Sequence, residues 1–184
     1  MSGGDIFDRA FERLIGHEGG YTDNPKDPGN WTGRRVGVGE LKGTKYGISA
    51  GSYPQIDIKG LTLAGAKDIY RRDYWGALRC DDLPPPIAYM TFDAGVNCGV
   101  GRSARWLQGA IGVAVDGSIG PRTIAAAKEA EGRQGGLTAI AVEFLSQRLM
   151  HHIMVADWAS FGLGWARRLF RIPFEMMEIA LWTR

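Results

Sequence analysis

Residues 18 to 29 read EGGYTDNPKDPG, and this stretch decides how the rest of the chain is interpreted. Its glutamate follows a segment with helical periodicity and precedes a glycine pair. Four positions share one face of that helix, at spacings of four, three and four residues: Phe7, Phe11, Leu14 and Glu18. We therefore predict a helix over residues 5 to 17 that Gly19 and Gly20 end, because glycine readily adopts the left-handed geometry of a helix end.

Glu18 is the candidate catalytic acid. It continues an apolar face, and a carboxyl group at the edge of an apolar core is disfavoured as an anion, so its pKa is expected to rise. A carboxylic acid that stays protonated near neutral pH can protonate the leaving oxygen of a glycosidic bond. Alternatively, Glu18 only caps the helix or forms a salt bridge at its end, and the spacing alone does not separate these roles.

Three segments together resemble one known family. They are Glu18-Gly19-Gly20-Tyr21, then Pro25, Asp27, Pro28 and Gly29, and finally Thr44-Lys45-Tyr46-Gly47-Ile48-Ser49. The family is glycosyl hydrolase 108, which comprises lysozyme-like N-acetylmuramidases of phages and prophages. The resemblance implies that Glu18 is the catalytic acid. The chain departs from the family's usual glycine pair after Asp-Pro, because it has Gly29-Asn30 there.

Glycosidic cleavage also needs a group opposite the acid, to stabilise the sugar cation or to position water. Asp27 is the candidate, because it lies nine residues after Glu18 in a loop bordered by glycine and proline. Asp23 and Glu40 are its rivals. Phage-type lysozymes have a similar order of residues, which implies that Thr44 holds the water. Each carboxylate can instead be a loop-stabilising cap or a solvated charge.

Five further residues are candidates for binding the substrate. Tyr21, Trp31 and Tyr46 offer flat faces and polar groups that suit sugar rings, although each can equally be a packing residue. Asp93 and Asn97 lie four residues apart, on one face of a predicted helix. This polar pair can hydrogen-bond a sugar, or its members can bond each other within the core.

The fold is expected to be mainly α, with a lysozyme-like helical domain, an irregular loop or small β-hairpin at the cleft, and a packed helical C-terminal module. Residues 1–90 would form the catalytic part and residues 91–184 the peptidoglycan-binding-like part, packed as one compact unit. Residues 20 to 60 predict a long functional loop, with a short strand or hairpin edge at Val36, Val38 and Leu41. Further helices are predicted over residues 63–78, 87–98, 123–130 and 137–154, and one from about residue 102.

The C-terminal half carries two motifs. The pattern LQ…VDGSIGPRT, from Leu107 to Thr123, is similar to small peptidoglycan-binding modules, and its alternative is a helix-turn-helix that only packs. The segment Phe161 to Arg168 resembles the closing segment of the family. We expect it to begin a docking helix kinked at Pro173; a basic amphipathic helix that touches a membrane is the alternative.

Other side chains receive structural assignments. Trp75 is assigned to the core rather than to a sugar platform. Cys80 and Cys98 are expected to be free thiols, with a disulfide as the alternative. His151 and His152 are adjacent on a helix and point about 100° apart, so they cannot chelate one metal well. We therefore expect neither a metal site nor a cofactor.

Composition narrows the partners and the location. The chain has 184 residues, and its net charge of 22 − 20 = +2 argues against a nucleic-acid binder. No stretch reaches the length of a membrane span, and the N-terminus lacks the apolar run of a secretory signal. We expect a monomer made in the host cytoplasm that acts in the periplasm or cell wall. Release would then require a holin-type permeabilising protein.

The function expected from the resemblance is that of an endolysin. It would hydrolyse the β-1,4 bond between N-acetylmuramic acid and N-acetylglucosamine in peptidoglycan, and so lyse the host cell. A lytic transglycosylase also uses a single glutamate and stays an alternative. A non-catalytic wall-binding or secretion-assisting protein is the alternative from a different class.

Overall fold

The structure is a computed structural model and describes residues 3–16, 20–155 and 158–182. These residues are mainly helical and contain a two-stranded antiparallel sheet, which confirms the predicted lysozyme-like helical fold with a small hairpin. The helices are α1 (Gly3–Ile15), α2 (Leu63–Tyr70), α3 (Pro85–Cys98), α4 (Val100–Ile111), α5 (Pro121–Gly132), α6 (Gly136–Met154) and α7 (Trp158–Trp182), and the strands are β1 (Thr44–Lys45) and β2 (Ile48–Ser49).

The chain divides into two compact units. One is Phe11–Arg71, called here the loop unit, and the other combines Met1–Ala10 with Arg72–Arg184, called here the helical unit. The expected boundary between residues 90 and 91 falls inside α3, not between these units. The division into a catalytic part and a wall-binding part therefore stays a prediction about function.

Helix α3 is the centre of the helical unit and contacts α4, α6 and α7. Almost every side chain along it is buried, as expected for a helix that is apolar all round. Gly95 permits close packing, because a Cβ atom there would lie 2.5 Å from Leu78 Cδ1. Trp75 packs edge-to-face against Phe92 at 5.3 Å and is 1% exposed, which confirms its assignment to the core.

The predicted helix over residues 63–78 is interrupted. Thr62 caps it as expected, with its hydroxyl accepting a hydrogen bond from Gly65 N at 3.0 Å. However, α2 ends at Tyr70 and a π-helical turn follows over Arg71–Gly76. The wider turn changes which side chains face inward: Ala77 is exposed, although on a regular helix it would share a face with the buried Tyr70, seven residues earlier.

Helix α1 begins and ends two residues earlier than predicted. Phe7 and Phe11 are buried as expected, but the helix ends at Ile15 and Gly16 adopts a left-handed φ of 59°. The stop assigned to Gly19 and Gly20 is therefore wrong, because an earlier glycine already ends the helix. Glu18 lies outside the described residues.

The loop unit contains the hairpin β1–β2, which pairs Lys45 with Ile48. Its two turn residues, Tyr46 and Gly47, both have positive φ, at 51° and 75°, as a two-residue primed turn requires. The edge predicted at Val36, Val38 and Leu41 is not a regular strand. Leu41 forms an isolated bridge with Trp31, and the two valines are exposed.

Candidate active site

Two site candidates of the loop unit, Asp27 and Thr44, are hydrogen-bonded to Asn30, which is 0% exposed. Its side-chain amide donates to Asn24 O at 3.0 Å, and its side-chain oxygen accepts from the Thr44 hydroxyl at 2.7 Å. Its backbone oxygen accepts from both Lys42 N and Gly43 N at 3.0 Å. Asn30 thus ties its own turn to two other segments, at Asn24 and at residues 42–44, of a loop that has little regular structure.

Thr44 is held on two sides. Its backbone exchanges hydrogen bonds with Thr22, at 2.9 and 2.8 Å, and its hydroxyl donates to Asn30. A hydroxyl oxygen that has donated its proton keeps lone pairs that can accept. Thr44 therefore has the chemistry to accept a hydrogen bond from a water or from a sugar hydroxyl.

Asp27 is exposed and immediately precedes a 3₁₀ turn over Pro28–Asn30. One carboxylate oxygen accepts from Gly29 N at 2.8 Å, and the backbone oxygen of Asp27 accepts from Asn30 N at 3.1 Å. The structure therefore shows the capping role, and it also joins Asp27 to the residue that holds Thr44. The role of Asp27 as the second catalytic group stays a prediction.

The rival carboxylates have other surroundings. The side chain of Glu40 is 74% exposed and pairs with Lys42 at 3.1 Å, as a solvated charge does. Asp23 is exposed near Tyr21. Partial burial, followed by the negative charges of Asp23 and Asp57, raises the pKa of the Tyr21 phenol, so this hydroxyl remains a hydrogen-bond donor at neutral pH.

All three aromatic candidates for sugar binding lie in the loop unit and are partly exposed. The Trp31 indole donates to Pro25 O at 3.0 Å, which ties its ring to the proline-rich loop. The Tyr46 ring stands at the hairpin turn, with the Lys45 ammonium 5.4 Å from its centre. The exposed part of each ring leaves surface for contact with a sugar, and the role of these rings in substrate binding stays a prediction.

Asp93 belongs instead to the core of the helical unit, where it is 3% exposed. Arg148 from α6 donates to Asp93 Oδ1 at 2.6 Å, and Arg168 from α7 binds both carboxylate oxygens. Burial alone would raise the pKa of Asp93, but these two guanidinium groups outweigh it, and the pKa is lowered. This position favours the core role over contact with a glycan.

Asn97 bonds Asp93, but through the backbone oxygen of Asp93 and not through its carboxylate. Its amide donates to the backbone oxygen of Asp93 at 2.7 Å, within α3, and its side chain is exposed. Sugar binding by Asn97 stays a prediction. Arg148 was not predicted as the partner of Asp93, although an arginine among the apolar residues of α6 is a signal for a buried acid.

Two further side chains of the helical unit carry reactive groups, a thiol and an imidazole. Cys98 Sγ lies 3.9 Å from His152 Nε2, but both residues are buried and the His152 ring stacks on Trp165 at 4.8 Å. Cys80 and Cys98 are both buried and do not form a disulfide with each other, as expected. Across residues 3–16, 20–155 and 158–182, no group of three or more His, Cys, Asp or Glu is arranged to hold a metal.

Gln108, which is 1% exposed, holds the turn formed by residues 115–120 (VDGSIG). Its amide donates to Asp116 Oδ1 at 2.7 Å and to Ser118 O at 3.0 Å, and its oxygen accepts from Gly117 N at 2.8 Å. Gln108 therefore uses both of its amide hydrogens and a lone pair of its side-chain oxygen in hydrogen bonds within the chain. The turn has a structural explanation, and wall binding by it stays a prediction.

The helical fold, with a structured loop and a hairpin that carry the polar candidates, is that of a lysozyme-like glycoside hydrolase. The model of the glycosyl hydrolase 108 family matches residues 11–99. The solved structure of Brucella abortus SagA is similar to the chain, with 30% sequence identity, 96% of each chain covered and a TM-score of 0.76. No curated protein matches the chain.

The chain belongs to the glycosyl hydrolase 108 family and is a peptidoglycan-degrading glycoside hydrolase. The matched residues include all of the loop unit, where Asn30 holds Thr44 and adjoins Asp27. No described helix combines the length and hydropathy that crossing a bilayer requires.

Proposed function

We propose that the protein is an N-acetylmuramidase that cleaves the β-1,4 bond between N-acetylmuramic acid and N-acetylglucosamine, with Glu18 as its general acid. The observation that best supports this is the Asn30 network. It joins Asp27 to Thr44, the two residues assigned by sequence to the face opposite the acid.

In this mechanism the Glu18 carboxylic acid protonates the glycosidic oxygen while the bond from that oxygen to the sugar breaks. The negative charge of Asp27 stabilises the sugar cation that develops. A water held by the Thr44 oxygen completes the hydrolysis, and a carboxylate of the pair takes its proton. Tyr21, Trp31 and Tyr46 supply faces for neighbouring sugars.

The decisive experiment is mass analysis of the fragments released from purified peptidoglycan. Muramidase action gives reducing ends, whereas a lytic transglycosylase gives anhydro ends and needs no second carboxylate. A non-catalytic wall-binding or secretion-assisting protein gives no fragments.

Variants assign the residues. Glu18→Gln is expected to abolish release of fragments while leaving the melting temperature nearly unchanged or higher, because an uncharged amide of nearly the same shape replaces the acid. Asp27→Asn is expected to lower the rate less severely. Asp23→Asn, an exposed aspartate of the same loop, is the matched control and should retain activity. Equal activity of the Asp27 and Asp23 variants would remove Asp27 from the mechanism.

The proposed setting is lysis of a host cell by a phage or prophage, supported by the resemblance to phage muramidases. Cytoplasmic expression alone should then leave cells intact, and co-expression with a holin-type permeabilising protein should lyse them. The Glu18→Gln variant under the same co-expression is the control. Lysis that does not depend on the second protein would contradict this setting.

A further inference from the structure

Helix α7 has two apolar faces, although one face suffices for docking onto its own chain. The inner face is buried and consists of Leu169, Ile172, Met176 and Ile179. The outer face is between 62% and 75% exposed, and we call its five residues the outer stripe: Leu163, Phe170, Phe174, Met177 and Leu181. Large apolar side chains in such a continuous exposed row mark an interaction surface.

The spacing of the outer stripe identifies the kind of partner. With Arg167 filling one position, the stripe advances by four, three, four, three and four residues from Leu163 to Leu181. This is the alternation of a coiled-coil seam, which is narrower than the broad apolar face of a helix that lies in a membrane. The spacing therefore favours another helix over a lipid surface.

The exposed area is sufficient for a protein interface. Phe170 and Phe174 are 75% and 67% exposed. At about 200 Å² for each aromatic side chain, they alone present on the order of 300 Å². The other three residues bring the stripe to roughly 600 Å² on each copy, which approaches the roughly 800 Å² per partner of a standard interface.

The charged residues beside the stripe include one of each sign, so two copies of the helix can pair them. Arg171 follows Phe170, Glu178 follows Met177, and both charged residues are exposed on the same flank of the helix. In an antiparallel pair of α7 helices, Arg171 of one copy comes close to Glu178 of the other, twice about the two-fold axis. In a parallel pair Arg171 and Glu178 would instead face the flank of the partner helix that carries Ala166 and Pro173, so neither would meet an opposite charge.

A groove of about 240 Å³ lies next to the stripe, between α6 and α7. Met177 belongs both to the stripe and to the groove, and the rest of the lining is almost wholly apolar: Leu137, Thr138, Ala141, Val142, Leu145, Pro173 and Met176. Such a groove accepts an aromatic side chain from a facing helix.

We propose that the outer stripe of α7 is the interface of a homodimer, in which two copies pair antiparallel and Arg171 faces Glu178 of the second copy. This inference departs from the monomer expected from the sequence. It concerns a surface of the helical unit and does not depend on the identity of the catalytic residues.

Sedimentation equilibrium of the full chain over a range of concentrations tests the dimer. The wild type should dimerise, and Phe174→Asp should raise the dissociation constant by about 100-fold, as removal of a central aromatic anchor does. The control is Val115→Asp, which is 53% exposed and lies outside the stripe, and should change it less than about 2-fold. Circular dichroism establishes that each variant is folded.

A charge exchange tests the orientation. Arg171→Glu should weaken the dimer by about 3- to 10-fold, and the double variant Arg171→Glu with Glu178→Arg should restore it. Failure of the double variant to recover would overturn the antiparallel arrangement.

Two results would overturn the proposal as a whole: a wild type that stays monomeric, or a Phe174→Asp variant that dimerises as the wild type does. Vesicles containing phosphatidylglycerol test whether the stripe binds a lipid surface instead of a second copy. Phe174-dependent binding of a monomeric wild type to these vesicles would assign the stripe to a lipid surface.

Discussion

The loop unit and the helical unit both depend on a buried polar group, but the two groups differ in kind. Asn30 in the loop unit is neutral and holds backbone and hydroxyl groups of two segments. Asp93 in the helical unit is charged and holds two arginines among apolar helices. Removing a neutral amide leaves hydrogen bonds unmade, whereas removing a buried charge leaves other charges without compensation.

The largest effect is expected for Asp93→Ala. It leaves Arg148, which is 1% exposed, without its counter-charge, and we expect the free energy of unfolding in urea to fall by about 3–5 kcal/mol. The control is Asp82→Ala, because the Arg79–Asp82 pair is exposed and its loss should cost less than about 1 kcal/mol. Similar losses for the two variants would show that burial does not distinguish them.

Asn30→Ala comes next. It removes hydrogen bonds to Asn24 and Thr44 from a buried position, and we expect a loss of about 1–3 kcal/mol. The release of wall fragments should fall further than the folded fraction does, because Thr44 loses its orientation. Asn24→Ala, which removes only an exposed bond to Lys26 N, is the matched control. If activity follows the folded fraction alone, Asn30 does not position Thr44.

Gly47→Ala sharpens the comparison within the loop unit. Its φ of 75° and a distance of 2.4 Å from the added Cβ to the Tyr70 hydroxyl both oppose a side chain, and the strain should cost at least about 1–2 kcal/mol. Gly37→Ala is the control, since its φ is 78° but nothing lies within 4 Å. Thermal unfolding should show a greater loss of stability for Gly47→Ala than for Gly37→Ala. Equal losses would show that the positive φ accounts for the whole cost and that the contact with Tyr70 adds nothing.

Replacing His152 is expected to change stability least at neutral pH, and to change it in a distinct way in acid. Burial, followed by the nearby Arg148, lowers its pKa to about 4, against about 6.5 in an unfolded chain. Between these values the unfolded state binds a proton that the folded state does not, so stability falls as the pH falls from about 6.5 to about 4.

His152→Gln should therefore make the free energy of unfolding less dependent on pH between 7 and 5. Urea unfolding at several pH values measures this slope. His151→Gln is the control, because His151 is the less buried of the two histidines; burial and then Arg102 lower its pKa. An unchanged slope in the His152 variant would contradict the assignment.

Much of the fold was predictable because helix spacing and caps are local. Thr62 and Pro121 start helices as their residue types suggest, and the aromatic residues Phe7 and Phe11 of α1 and Phe144 of α6 are buried. The errors lie where local signals compete. Gly16 ends α1 before the predicted glycine pair, and the π-helical turn after Tyr70 shifts the facing of Ala77.

The candidate site was predictable in part. Asp27 and Thr44 were chosen from residue order, and Asn30 was noticed only as a departure from a glycine pair. Its role depends on contacts with residues 6 and 14 positions away, which no short motif contains. Asp93 shows the same limit, because its partners lie 55 and 75 positions along the chain.

The sequence by itself determined that the chain is helical, that residues 20 to 60 form a glycine-rich loop, and that its motifs are those of a glycoside hydrolase. These features follow from periodicity, backbone geometry and residue type, which act over a few neighbouring residues. Only the tertiary structure decided that Asn30 holds Thr44, that Asp93 belongs to the core, and that one apolar face of α7 stays exposed. Each depends on which distant segments meet, and hence on burial and charge pairing that single segments do not specify.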